Sequence, residues 1–160
     1  MKKAIYLTLI TLGCSFVSCE NEIQLADNDY IVFGHFYGEC FGEGCVEIFR
    51  LEKDRLLEDT NDKYPGATNF YSGNFIQLSE AQFDSVKDIV RYFPESLLNE
   101  TDTVIGMPDA GDWGGLYVEY CYNGVHKFWL IDQMKSNVPV KYHEFIDKVN
   151  EKIDFLQPKE

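Results

Sequence analysis

Acids, aromatics and glycines crowd together between residues 99 and 120, where Glu100, Asp102, Asp109, Asp112 and Trp113 precede Gly114, Gly115 and Tyr117. Three chemistries fit this stretch. The carboxylates are hard oxygen ligands of the kind calcium takes, although Asp109 and Asp112 lack the full alternating pattern of an EF-hand. Alternatively, Trp113 and Tyr117, with Tyr64, Phe70 and Tyr71 from an earlier polar stretch, offer flat apolar faces beside hydrogen-bonding acids, a shelf suited to a sugar or a peptide. In the third reading Trp113 plugs the edge of a core and the acids bond their own backbone in turns. A connection spanning residues 100–115 is long for a compact domain, and such connections often carry function. The candidate ligand-binding set is therefore Asp109, Asp112, Trp113 and Tyr117.

Catalytic alternatives have fewer residues behind them. Glu119 with Asp109 or Asp112 could supply the paired carboxylates of a small hydrolase acting on a glycoside. With 27 Asp and Glu in the chain, some acids lie near one another by chance, and Glu119 beside Tyr120 on an expected strand reads as an outward residue. His35, His126 and His143 are material for a Ser/His/Asp set, but the chain has no Gly-x-Ser-x-Gly elbow. His126 falls just past an expected turn, and His143 on the exposed side of the last helix.

Of five cysteines, three matter for the fold: Cys40, Cys45 and Cys121. Joining Cys40 to Cys45 closes a small loop, an effect of about 2 kcal/mol through the unfolded chain, whereas joining either to Cys121 closes a far longer one, about 4–5 kcal/mol. With His35 and His126 the three thiols could ligate a metal, but Cys-x4-Cys without a second close pair is poor zinc spacing. The expectation is a Cys40–Cys45 disulfide, Cys121 as a buried apolar filler, and neither metal nor cofactor.

The chain carries 14 Lys and Arg against 27 Asp and Glu, a net charge of −13. Binding a phosphate backbone relies on cationic side chains that displace counterions, so a nucleic-acid role is excluded. The same excess favours cationic or neutral partners.

Several elements must position these residues. Residues 29–36 and 46–51 read as a hairpin around the cysteine loop, and 56–58 as a short third strand. Residues 59–71 are turn-prone, and 70–78 return as a strand with a bend at Gly73 and Asn74. The clearest helix runs over 79–93, with Ser79 and Gln82 as a capping box and Pro94 at its end. Residues 95–99 add a helical turn that packs Leu97 and Leu98. Asn123 and Gly124 suit the type I′ turn of a hairpin between 116–122 and 125–131. A last helix opens near Asn137 and Pro139 and presents Tyr142, Phe145, Ile146, Val149, Ile153 and Leu156 to a core. Strands, helix, hairpin, helix in this order predict an α+β fold: an antiparallel β-sheet with two α-helices packed on it.

Ahead of this domain stand Lys2 and Lys3, a mostly apolar run from 4 to 16, and Phe16-Val17-Ser18-Cys19. The run is shorter than the about 20 apolar residues of a membrane-spanning helix, and its flanks suit an export signal. The segment resembles the signal peptide and lipobox of bacterial lipoproteins. That resemblance implies removal of residues 1–18, acylation of Cys19, a lipidated tether over 19–28 and one domain over 29–160. Loss of Lys2 and Lys3 then leaves 12 cations against 27 acids, a charge of −15. Multiple acyl chains anchor stably where one does not, and a tether of about nine residues keeps the domain within roughly 15–18 Å of the membrane. Glu20-Asn21-Glu22 resembles the surface-export signal of some Gram-negative lipoproteins. The resemblance places the chain in the cell envelope, as an outer membrane lipoprotein. The whole layout is similar to small bacterial lipoprotein domains of uncharacterised activity, so it implies no reaction. The expected function is a non-enzymatic binding or accessory module for a glycan, a peptide or a basic protein; the alternatives are the small hydrolase and a protein inhibitor or assembly partner.

Overall fold

The computed structural model describes residues 25–157; the leader, Cys19 and the tether to residue 24 lie outside them. Seven strands form one sheet: β1 (Tyr30–Phe36), β2 (Val46–Glu52), β3 (Leu56–Asp59), β4 (Phe75–Gln77), β5 (Val104–Ile105), β6 (Gly115–Tyr122) and β7 (Val125–Asp132). Their order is β4-β3-β2-β1-β6-β7-β5, antiparallel throughout except for the parallel pairing of β5 with β7. Two α-helices, α1 (Glu80–Val86) and α2 (His143–Leu156), complete the α+β fold. No helix among the described residues is long and apolar enough to cross a bilayer.

Strand alternation sorts the side chains onto two faces. Ile31, Phe33, Phe49, Leu51, Leu116, Val118, Trp129 and Ile131 join Val86, Ile89, Leu97, Phe145, Ile146, Val149 and Ile153 in one core, on the helix side. Val32, Phe36, Val46, Ile48, Tyr117, Phe128 and Leu130 form a second core on the opposite face, with Tyr71 and Phe75 packed against it. Because both faces are covered, β1 and β6 read as nearly continuous apolar runs and not as clean alternations. Lys152 is buried between the helical elements, its Nζ 2.7 Å from Asp88 Oδ1 and donating to Ser85 O at 3.0 Å.

Local signals account for most of the joints. Asn123 and Gly124 have φ of 51° and 80°, the left-handed pair that a type I′ turn requires. Cys40 and Cys45 form the disulfide at the tip of the β1–β2 hairpin. The Ser79–Gln82 capping box is present, but the helix after it is α only to Val86 and continues as a 3-10 helix over Lys87–Tyr92. Phe93, the residue before Pro94, is extended with ψ of 118°, so the tighter turns end there. The strand expected over 70–78 shrinks to Phe75–Gln77, because side chains take the earlier backbone donors: Tyr117 Oη accepts from Tyr71 N at 2.9 Å and Asp59 Oδ1 from Asn74 N. Cys121, expected as a buried filler, is half-exposed at the sheet's end, with Sγ 3.9 Å from Asn28 O.

His35 is buried on the helix side beside the cysteine loop, with Nε2 donating to Gly44 O at 3.1 Å. Burial, outweighing that bond and the Asp154 charge, lowers its pKa below the ordinary 6.5. The unfolded chain therefore binds a proton that the folded chain refuses. Its contribution is full above about pH 6.5 and is lost as the pH falls below it. Melting temperatures of wild type and His35→Gln between pH 7.5 and 5 should show a steeper decline for wild type; parallel curves would remove His35 from the account.

Candidate functional site

Three buried carboxylates organise the face away from the helices. Asp132, at the end of β7 and 0 % exposed, accepts from Met107 N (2.9 Å), Trp113 Nε1 (2.7 Å), Met134 N (2.8 Å) and Asn137 Nδ2 (2.8 Å). Asp59, at the end of β3, accepts from Asp62 N (3.1 Å), Tyr71 Oη (2.6 Å) and Asn74 N. These two mostly fasten loop backbone, and those donors satisfy the buried carboxylates.

The third differs in kind, because all its partners are side chains. Glu119 Oε2 accepts from Tyr117 Oη at 2.6 Å, and Oε1 from Tyr30 Oη at 2.9 Å and His126 Nε2 at 2.8 Å. The expectation of an outward Glu119 is thus corrected: it is 3 % exposed. β6 is covered on this face by the layer of residues 60–75, so the position opposite Tyr120 is interior too. Burial, and then the Glu119 carboxylate, hold the Tyr30 and Tyr117 phenols well above the ordinary tyrosine range. Both therefore stay protonated and donate. On the outer side, the Phe70 ring stacks on the His126 ring at 3.7 Å between centroids and 15° between planes, and meets the Phe128 edge at 5.1 Å. Phe70 remains 43 % exposed.

This platform stands at the mouth of a cleft. β5 pairs with β7 only at Leu130 and Ile131, with Leu130 N donating to Thr103 O at 2.7 Å. Ahead of Thr103 the chain at 99–102 diverges from β7. A cavity of about 410 Å³ opens between it and residues 126–129, with Phe70 at its rim. Thr103 Oγ1 donates to Ala67 O at 3.1 Å and ties the diverging segment to the Phe70 loop. Lys127 Nζ reaches Leu98 O at 2.6 Å and ties β7 to the segment just before the cleft.

The four residues singled out by sequence are not gathered into one shelf. Tyr117 is fully buried against Glu119. Trp113 is half-buried, its indole N–H held by Asp132. Asp109, at φ 61°, accepts from Gly38 N (2.7 Å), Gly114 N (3.0 Å) and Tyr64 Oη (3.0 Å). Burial and that carboxylate push the Tyr64 phenol up to about 12. Asp112 is exposed in the same turn at φ 60°. Asp109, Asp112 and Trp113 share one loop, which Asp109 and Trp113 fasten to Gly38, Tyr64 and Asp132. Among the described residues, no group of three His, Cys, Asp or Glu is placed to hold a metal ion.

Sequence reasoning named Phe70 as a shelf residue but missed Glu119 and His126 as partners. A signal was present. A two-residue turn at Asn123 and Gly124 pairs Cys121 with His126 and Glu119 with Phe128, which sets Glu119 and His126 diagonally on one face. Chemically, the arrangement fixes an imidazole through a buried anion and uses it to seat an exposed aromatic ring beside polar walls. Among the described residues no serine, threonine or cysteine is hydrogen-bonded to His126. Compared with known proteins, the chain matches no family model, no curated protein and no solved structure.

Proposed function

We propose that this chain is a cell-envelope lipoprotein, held to the membrane by acyl chains at Cys19, whose domain works as a non-enzymatic binding module with its site at the β7 cleft. The anchor rests on the lipobox resemblance of residues 16–19. The site rests on one observation: Phe70 is a solvent-facing aromatic ring held flat on His126, which is itself fixed by buried Glu119. A ring immobilised before the ligand arrives loses little freedom on binding, and so retains more of the contact energy as affinity.

The two halves are tested separately. Mass spectrometry of the mature N-terminus is expected to show acylated Cys19; a chain starting at Met1 would remove the anchor. For the site, the detergent-solubilised protein is applied to glycan and peptide arrays beside its Phe70→Ser variant. Ligands are expected to lose about tenfold in affinity with the variant, as for an aromatic hot spot. Circular dichroism should be unchanged, since the ring is half-exposed. Ligands indifferent to Phe70→Ser would move the site elsewhere.

A further inference from the structure

We propose that the ligand of the cleft is an extended polypeptide segment that adds as a strand to the free edge of β7, bonding the backbone of His126 and Phe128. The inference deepens the binding reading above and rests on it.

The register dictates which backbone groups are free. A two-residue turn is closed by the hydrogen-bonded pair Tyr122 and Val125. Counting along β7 from there, residues 125, 127, 129 and 131 direct their N–H and C=O groups towards β6. Residues 126, 128 and 130 direct theirs to the other edge. The structure agrees at Leu130, whose N–H crosses to Thr103 O. β5 covers only Leu130 and Ile131, and residues 99–102 stand off across the cleft. The N–H and C=O groups of His126 and Phe128 thus face the cavity with no hydrogen-bond partner among the described residues.

An unpaired strand edge is a template for another strand, and peptide recognition by strand addition uses that property. Proteins blunt such edges with charged side chains or short strands. The opposite edge of this sheet follows the rule, because β4 has three residues. At the β7 edge Lys127 is bonded to Leu98 O, and strand alternation puts its side chain on the Trp129 face and not over the edge amides. A saccharide could use the face of Phe70, but it has no counterpart to donor and acceptor groups repeating every second residue, about 6.8 Å apart along the strand. A polypeptide has that repeat.

The walls describe the segment. Phe70 and Phe128 provide an apolar seat for a side chain on one face of the added strand. Glu100 and Asp102 line the other wall. Glu100 is already bonded to Lys141 Nζ at 2.7 Å and to Tyr142 Oη. Asp102 has no ion-pair partner among the described residues. With the chain's net charge of −13, the favoured segment carries Lys or Arg next to an apolar residue.

The test uses a displayed library of random peptides selected against the solubilised full chain. The tightest peptide is then remade with a single N-methyl group at each position in turn. The expected result is an alternation. N-methylation at every second residue weakens binding about tenfold and at the intervening residues hardly at all, because only alternate amides face β7. The His126 and Phe128 amides should also exchange hydrogen more slowly in the complex, and selected peptides should be enriched in Lys and Arg. Phe70-dependent peptides whose affinity ignores N-methylation would overturn strand addition while leaving the cleft as a binding site. So would Phe70-dependent binders found only among glycans. Peptides indifferent to both N-methylation and Phe70→Ser would overturn the site as well, and failure to select any peptide overturns the polypeptide assignment.

Discussion

Asp132→Ala is expected to cost about 3–5 kcal/mol of folding stability, because several buried neutral donors lose one charged acceptor together. Four donors converge on a carboxylate with no solvent contact: the backbone N–H groups of Met107 and Met134, the Trp113 indole and the Asn137 amide. Alanine leaves all four without an acceptor. Each orphaned buried group costs about 1–3 kcal/mol, and relaxation makes the sum less than additive. Asp132→Asn keeps one acceptor oxygen and turns an NH2 group towards donors, so it should fall between wild type and alanine. Urea unfolding measures the loss. Hydrogen exchange should show that the amides of Met107 and Met134 open first. The result bears on function, because Trp113 was a candidate ligand contact. If Asp132→Ala were no less stable than wild type, the indole's bond would carry no weight, and Trp113 would return as a candidate contact.

The parts of this molecule readable from sequence are those set by neighbours in the chain. Asn123 and Gly124 specify their turn by φ alone, and Ser79 with Gln82 closes a capping box within one helical turn. Cys40 and Cys45 are near enough along the chain to meet at a hairpin tip. The spacing of Phe145, Ile146, Val149 and Ile153 fixes the buried face of α2. What stayed hidden depends on pairings between distant segments. Tyr30 meets Glu119 because β1 lies beside β6, with Val32 opposite Glu119. No local pattern announces that neighbour. Gly34 is an overlooked trace of the packing. Its place in a central strand is explained by a Cβ that would fall 2.0 Å from Glu47 O. The polar composition of residues 59–71 suggested a surface loop, and its tip is one. Its aromatic members nonetheless lie against the sheet, and that thin layer turns Glu119 from an outward residue into a buried one. The cleft had no local signature either, because β5 is two residues long and its flank shows no alternation.

Glu119 tests whether stability and recognition on this face come from the same bonds. Glu119→Ala should cost about 3–4 kcal/mol, since buried Tyr117, half-buried Tyr30 and the exposed His126 ring all lose the carboxylate they bond. Binding at the cleft should fall with it, because His126 would no longer be held under Phe70. The two effects can be separated. Removing both sides of a buried hydrogen bond is far cheaper than removing one. Glu119→Leu combined with Tyr30→Phe and Tyr117→Phe eliminates the carboxylate and two of its donors together. This triple variant is expected to recover part of the lost stability, because the site is already lined by apolar neighbours such as Val32 and Phe128, while the Tyr71 N–H loses the Tyr117 oxygen that accepted it. It should not recover binding, since nothing then orients the imidazole on which Phe70 rests. Thermal melts and peptide titrations of the three proteins, wild type, Glu119→Ala and the triple variant, read the two quantities independently. A triple variant as unstable as Glu119→Ala would mean that the anionic charge, or the bond from Tyr71 N to Tyr117, outweighs the phenol–carboxylate bonds in keeping the layer of residues 60–75 on the sheet. One that bound peptide like wild type would mean that Phe70 is seated by packing against Phe128 alone.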